Sequence, residues 1–296
     1  MLCSGYADIL YLYQQTTGEM NTRALYQQYT NQLSTIYSKL EAGELTSWLF
    51  EHFLGLKRMD VLKNSLIDEV PQAMQKAMEE LMQQKPIQYI LGEAPFYGRT
   101  FQVNPTVLIP RNETEELVHM IIKENKFATP SILDIGTGSG CIPISLALEI
   151  PGSHVSALDI SEEALAVAQS NAAKLLATVD FYRVDILNEA IPVDNLDIIV
   201  SNPPYVKHSE KAWMHPNVLE HEPHLALFVY DEDPLLFYRV IAEKAKNALK
   251  SGGKLYFEIN EALGQETANL LQTQGYQQVQ IHQDLNGKNR MVSAIV

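Results

Sequence analysis

A chain of 296 residues with 46% hydrophobic and 20% charged side chains has ample material for a globular core, in one large domain or two modest ones. Its formal net charge of −14 weighs against a binder of nucleic-acid backbones, which needs a cationic surface. Two cysteines, Cys3 and Cys141, give no disulfide framework, and no apolar run is long enough to span a bilayer, so a reducing, cytoplasmic setting without membrane contact is expected.

The first residues lack the basic stretch and apolar core of a secretory signal. Residues 20 to about 84 read as mostly helical. Leu25, Tyr26, Tyr29, Leu33, Ile36, Tyr37 and Leu40 recur at three- and four-residue steps and predict one helix over 22–40. Leu45, Trp48, Leu49 and Phe53 repeat that spacing in a shorter element, which Gly55 closes, and Pro71 opens another helix. Residues 1–90 carry seven basic and ten acidic side chains, net −3, so most of the negative charge lies beyond them.

The texture changes at Lys85-Pro86-Ile87-Gln88-Tyr89-Ile90-Leu91-Gly92. Proline, glycine and aromatic residues punctuate short β-type runs through Phe101-Gln102-Val103, which predicts a hairpin linker over 85–105 between a helical domain, 1–84, and a second domain, 106–296. From Glu113 onward helical and strand patterns alternate. The strand candidates are Ile132 to Ile135, His154 to Asp159, Asp180 to Val184, Leu196 to Val200 and Lys254 to Ile259, and their alternation with helices implies an α/β, doubly wound parallel sheet.

Asp134-Ile135-Gly136-Thr137-Gly138-Ser139-Gly140 follows the first of these strands and precedes an apolar helix, Cys141 to Ile150. Glycines at alternate positions let a backbone turn sharply and approach a ligand. The spacing is G-x-G-x-G, not the G-x-G-x-x-G of dinucleotide folds, and it contains no diphosphate cradle. Asp159 ends the second strand, placed to accept hydrogen bonds from ribose hydroxyls. It also suits a helix cap region, because Ser161 and Glu162 begin a helix. Asp134 reads as a holder of the loop.

Ser201-Asn202-Pro203-Pro204-Tyr205 lies at the carboxyl end of the fourth strand, where open parallel sheets bind ligands. Proline lacks an N–H and biases the preceding residue toward extended geometry. Such a turn aims the Asn202 oxygen and the Pro203 carbonyl at one point, where a planar NH2 group donates both hydrogens, and Tyr205 covers its face. That arrangement suits methyl transfer to a planar nitrogen, with alignment supplied by the site. A proline-rich strand stop with an asparagine cap would show the same residues.

The combination of DIGTGSG, Asp159 and NPPY resembles the class I S-adenosylmethionine-dependent methyltransferases that modify exocyclic or amide nitrogens. KPIQYILGEAPFYG (Lys85 to Gly98), VLIPRNETEELV (Val107 to Val118), Glu222-Pro223 and DLNGKNR (Asp284 to Arg290) resemble one family closely, the bacterial peptide chain release factor glutamine methyltransferases, over nearly the whole chain. The resemblance implies a seven-stranded Rossmann-like methyltransferase sheet behind an N-terminal helical bundle that docks a protein. It implies S-adenosyl-L-methionine as cofactor, release factors as protein substrates with no direct nucleic-acid substrate, and a monomer. By this likeness Gly136, Thr137, Gly138, Ser139 and Gly140 wrap the methionine part, Asp159 binds the ribose, and Ile186 lies against the adenine, with Asn202 also beside the cofactor. Asn202, Pro203, Pro204 and Tyr205 hold the glutamine amide, and Asn202, Pro203 and Tyr205 serve catalysis. Phe96, Pro110, Arg111 and Glu113 line or order the pocket; Phe96 equally suits a core position, and Arg111 with Glu113 a structural ion pair.

Three positions depart from the family pattern: Asn112 replaces a proline, Asn260 a common glycine, and Glu232-Asp233-Pro234 an Asp-Gly-Leu-like turn. Met20 is the expected initiator. His215, His221 and His224 cluster loosely, with His221 and His224 spaced to share a helix face, but no cysteine or carboxylate spacing completes a zinc pattern, and no metal is expected. Two other functions stay open on the residues alone. Adenine methylation in DNA fits NPPY but asks for a basic face and duplex contacts; a non-catalytic cofactor-binding scaffold leaves an intact NPPY unexplained.

Overall fold

The computed structural model describes residues 20–296, so the expectation about a start at Met20 concerns residues, 1–19, that lie outside the described ones. The chain divides into two compact units, Met1–Leu91 and Gly92–Val296.

In the first unit, helix α1 (Thr22–Leu33) packs with α2 (Lys39–Leu54). The single helix expected over 22–40 is therefore two. The Ser38 side chain accepts from Glu41 N at 3.3 Å and starts a new helix, while Ile36 and Leu40, two residues of the expected apolar face, are exposed. Gly55 closes α2 in the left-handed conformation, φ 65°, as expected. Pro71 stands immediately before α3 (Gln72–Met82), at its N-cap. Leu25, Tyr29, Leu33, Leu49, Phe50, Met74 and Leu81 form the core of this unit. The expected β-type run from Lys85 is instead a short helix, α4 (Ile87–Leu91), in which the N–H groups of Tyr89 and Ile90 reach back to Pro86 O. A proline just ahead of a first turn has no N–H to lose there.

The second unit opens with a hairpin of Glu93–Phe96 and Arg99–Gln102. Tyr97 and Gly98 both take positive φ, 49° and 71°, which matches the strand twist in a two-residue turn. After α5 (Asn112–Glu124) come the seven sheet strands: β1 (Ser131–Ile135), β2 (His154–Asp159), β3 (Asp180–Arg183), β4 (Leu196–Ser201), β5 (Leu249–Glu258), β6 (Gln277–Gln283) and β7 (Asn289–Ile295). Helices α6 (Cys141–Glu149), α7 (Glu162–Leu175), α8 (Leu236–Ala248) and α9 (Gly264–Thr273) connect them.

The spatial order is 6-7-5-4-1-2-3. The five strands expected from the sequence, β1 to β5, are all parallel to their neighbours among themselves, as expected. The sheet as a whole is mixed, because β7 runs antiparallel between β5 and β6. A tight turn joins β6 to β7, and only an antiparallel pair closes over so few residues.

Alternation along the strands divides the core between two faces. Leu133, Ile135, Ile199, Leu255 and Phe257 pack with Tyr238, Ile241 and Ala245 of α8. Ile132, Ile198, Val200 and Tyr256 pack with Leu117, Val118 and Ile121 of α5 and with Ile142 and Ile144 of α6. Asp197 sets the register of three neighbouring strands, accepting from Ser131 N at 2.8 Å and from Lys250 Nζ at 2.8 and 2.9 Å. Strand order reverses between β1 and β4, so their carboxyl ends flank the crevice where such sheets bind ligands. Among the described residues no helix is long and apolar enough to cross a membrane.

Candidate active site

The glycine loop leaves β1 with Gly136, Gly138 and Gly140 at φ 77°, 53° and 78°, a region that penalises any Cβ. Their surroundings differ. Beyond its chain neighbours, a Cβ at Gly136 or Gly138 would meet no atom of the described residues within 4 Å, whereas one at Gly140 would lie 2.9 Å from Ile144 Cδ1 and 3.0 Å from Ala168 Cβ. Gly140 thus serves the packing of α6 on α7.

The Asp159 carboxylate holds the loop from β2: Oδ2 accepts from Gly138 N at 2.9 Å, and Oδ1 from Ser161 N at 3.0 Å. Ser161 caps α7 by accepting from Ala164 N at 3.1 Å, so the loop-facing and cap-facing readings of Asp159 coexist. Burial pushes the Asp159 carboxyl up against the lowering influence of these backbone N–H groups.

Asp134 faces away from solvent inside β1. Among the described residues neither of its oxygens finds a donor in hydrogen-bonding geometry, although the Thr137 hydroxyl lies near enough to offset part of the effect. Burial therefore dominates and its pKa is pushed up to about 7.

Strand β4 is buried throughout, and Ser201 Oγ closes its end onto Ile135 O at 2.7 Å. Asn202 follows, and its Nδ2 donates to Thr114 Oγ1 at 3.3 Å. Thr114 in turn donates to Glu258 Oε2 at 2.6 Å, and the Tyr205 hydroxyl donates to Glu258 Oε1 at 3.2 Å. Asn260 Nδ2 reaches the Tyr205 carbonyl at 3.3 Å, while its Oδ1 accepts from Ala262 N at 3.0 Å. The asparagine that replaces a family glycine thus both caps a turn and ties it to Tyr205. Burial pushes the Glu258 carboxyl up, opposed by its two hydroxyl donors and the positive charge of Arg290. Burial first, and then the charge of Glu258, pushes the Tyr205 phenol up as well.

A cavity of about 450 Å3, within the range of small-molecule sites, opens at the strand ends. Gly136, Thr137, Gly138, Ser139, Asp159, Ile186, Asn202, Pro203, Pro204, Pro110 and Arg111 all line it. Tyr205 lines a second cavity of about 180 Å3 beside it, and Asn202, Arg111, Leu108 and Ala226 border both.

Some expected residues lie elsewhere. Gly140 packs helices; Phe96 is buried edge-to-face against Phe101, with ring centroids 5.9 Å apart. Glu113 stands in the first turn of α5 outside the cavity lining, and its charge raises the Glu258 carboxyl. Arg111 pairs not with Glu113 but with the buried Glu222, at 2.6 Å. Asn112 occupies the first helical position of α5. His221 ends one short helix and His224 begins a separate turn, so they share no helix face.

Sequence reasoning missed Thr114, Glu258 and Ile160. Glu258 has a visible signal, an acid ending the apolar run Leu255-Tyr256-Phe257. Ile160 lines the cavity directly after Asp159 while 41% exposed, and Thr114 is unremarkable until α5 is docked on the sheet.

The family model for the Methyltransferase small domain matches residues 112–223, and that for the PrmC N-terminal domain matches residues 24–92. A release factor glutamine methyltransferase of Flavobacterium psychrophilum is 47% identical over 90% of this chain and 95% of its own. One from Bacteroides thetaiotaomicron is 47% identical over 88% of this chain and 95% of its own. Among solved structures, a methyltransferase from Pyrococcus furiosus is similar at a TM-score of 0.50 and 18% identity, covering 67% of this chain and 89% of that one, a likeness of fold.

Proposed function

Because the chain belongs to the release factor glutamine methyltransferases, we propose that it methylates the side-chain amide nitrogen of the glutamine in the Gly-Gly-Gln segment of peptide chain release factors, with S-adenosyl-L-methionine as methyl donor. In this reading the helical domain, 1–84, docks the protein substrate and residues 106–296 carry the chemistry.

The residues present fit the cofactor. Each Asp159 oxygen accepts one backbone N–H and keeps lone pairs for a pair of ribose hydroxyls. Ile160 and Ile186 offer apolar surface to a flat base, and the open space beside Gly136 and Gly138 accepts a chain laid close to the backbone. When bound, the cofactor supplies a methyl group activated by a positively charged sulfur.

The protein's part is to bind, orient and exclude water. An amide nitrogen is a poor nucleophile because its lone pair is delocalised. Two carbonyl acceptors, Asn202 Oδ1 and Pro203 O, restrain its hydrogens and aim the nitrogen, and Tyr205 shields it. Alignment of this kind removes much of the entropic barrier. The observation that supports the reading best is the position of Asn202 on the border of both cavities, with Thr114 engaging its Nδ2.

The test is incubation with methyl-labelled S-adenosylmethionine, purified release factors and DNA. The expected result is label on the release factor alone, carried by the Gly-Gly-Gln peptide as one added methyl mass. Label on DNA only, or on neither, refutes the proposal.

A further inference from the structure

Asn202, Thr114 and Glu258 form a chain of hydrogen bonds that reaches from the cavity wall to a buried carboxylate. The spacings are 3.3 Å from Asn202 Nδ2 to Thr114 Oγ1 and 2.6 Å from Thr114 Oγ1 to Glu258 Oε2. Glu258 is 1% exposed, and Thr114 is buried as well. Thr114 bonds Asn202 and Glu258 bonds Tyr205, so both reach the NPPY segment.

The two ends of an asparagine amide have nearly the same size and shape, so packing alone does not decide which one faces a ligand. Hydrogen-bond polarity does. An ionised carboxylate only accepts, so Thr114 must spend its one hydroxyl proton on Glu258. Its oxygen then offers lone pairs alone to Asn202, which has to present Nδ2. Burial and the charge of Glu113 push the Glu258 carboxyl up, while the two hydroxyl donors, Thr114 and Tyr205, and the positive charge of Arg290, from β7, work toward its ionised, accepting form.

We propose that Glu258 is a positioning residue that sets the polarity of this relay and thereby turns Asn202 Oδ1, rather than its NH2, toward the substrate amide. The proposal rests on the methyl-transfer reading above. A donor facing Thr114 from position 258 would release the Thr114 proton to bond Asn202 Oδ1, and the flipped amide would then set NH2 against NH2. A glutamine there has one acceptor for two hydroxyls and so sets its NH2 against either Thr114 or Tyr205, both of which the carboxylate now holds. The same carboxylate holds the Tyr205 hydroxyl at 3.2 Å, and Asn260 holds the Tyr205 carbonyl at 3.3 Å, so the end of β5 grips Tyr205 at two points as well.

The experiment uses the full chain with a release factor as methyl acceptor. It compares wild type, Glu258→Gln, Glu258→Asp, Thr114→Val and the double variant Thr114→Val/Glu258→Gln, measuring kcat, KM and the cofactor Kd. Glu258→Gln keeps shape but adds a donor; it is expected to lower kcat about 100-fold, the scale of one lost oriented hydrogen bond at a reacting group, with cofactor Kd within about twofold. Glu258→Asp keeps an acceptor and recovers about tenfold of that loss. Once Thr114→Val has cut the relay, the glutamine adds no more than about a threefold further loss, the non-additivity of residues acting as one unit.

Wild-type kcat in Glu258→Gln, parallel loss of cofactor binding, or Glu258→Asp no better than Glu258→Gln overturns the proposal. Should Glu258→Gln not fold, Thr114→Val alone decides: unchanged kcat overturns it, and reduced kcat with intact cofactor binding upholds it. A wild-type chain that leaves the release factor unmethylated overturns the parent reading and this inference with it, an outcome distinct from an active wild type with an equally active Glu258→Gln.

Discussion

Arg111 Nη2 donates to Glu222 Oε1 at 2.6 Å, joining segments 111 residues apart whose neighbours line the large cavity. Glu222 Oε2 also accepts from Ile109 N at 3.2 Å, so one buried carboxylate pins the strap before α5 to the loop after NPPY. The strap residues Leu108 and Arg111 border both cavities, as does Ala226 from the loop, and the ion pair therefore helps shape the wall of the site.

Replacing Arg111 with alanine leaves the Glu222 charge buried with one backbone donor. A fully buried pair loses about 3–5 kcal/mol when one partner is removed. The Arg111 side chain is 34% exposed, so screening by solvent reduces the expected cost to roughly 1–3 kcal/mol. Urea unfolding measures it, and the KM for the release factor should rise in parallel. An unchanged midpoint would show that the pair holds nothing.

The glycines of the loop should separate into two classes. Gly140→Ala adds a clash with Ile144 and Ala168 to the left-handed strain and is expected to cost roughly 2–4 kcal/mol of stability, visible as a lowered melting temperature. Gly138→Ala meets open space and is expected to lose only about 1–2 kcal/mol of stability. Its methyl group enters the cavity, so cofactor affinity falls more than stability. Equal effects of both variants on Kd would contradict this division.

Asp134 makes stability depend on pH. Burial raises its pKa in the folded chain to about 7, above the ordinary aspartate value of 3.8, so the native state binds more protons between these values. Its contribution is fully present below the unfolded value and is lost as pH rises through about 7. Asp134→Asn is neutral at every pH and should flatten this part of the profile. The check is chemical unfolding of both proteins at about pH 4 and about pH 8, which span the window between the two values.

Asn202→Ala removes an acceptor from the proposed substrate amide while sparing the Asp159 and glycine-loop contacts. The expected loss in kcat is about 100- to 1,000-fold, the range for deleting one oriented hydrogen-bonding group at a reacting centre. Calorimetric affinity for S-adenosylmethionine should change little. A matching loss of affinity would reassign Asn202 to the cofactor.

Much of this site was legible before the fold. Gly136, Gly138, Asp159 and Asn202 were placed by position relative to strands, because ligand sites in open α/β sheets form at the carboxyl ends, and chain order identifies those ends. The helix break at Ser34–Ser38 and the helical turn at Ile87–Leu91 were hidden. In the first case the apolar spacing ran on through a serine cap, and in the second aromatic and β-branched residues imitated a strand pattern.

Local chemistry in the chain itself determined the glycine loop, the proline-stiffened asparagine and the alternation of strands and helices, because these depend on backbone freedom and side-chain period. Tertiary packing alone decided that Thr114, Asn202, Tyr205 and Glu258 meet, with Thr114 and Glu258 144 residues apart in the chain. It also decided that Arg111 pairs with Glu222 rather than with its neighbour Glu113. Those contacts depend on which strand lies beside which and on which face a helix docks, and a desolvated carboxylate finds its donors only after both are settled.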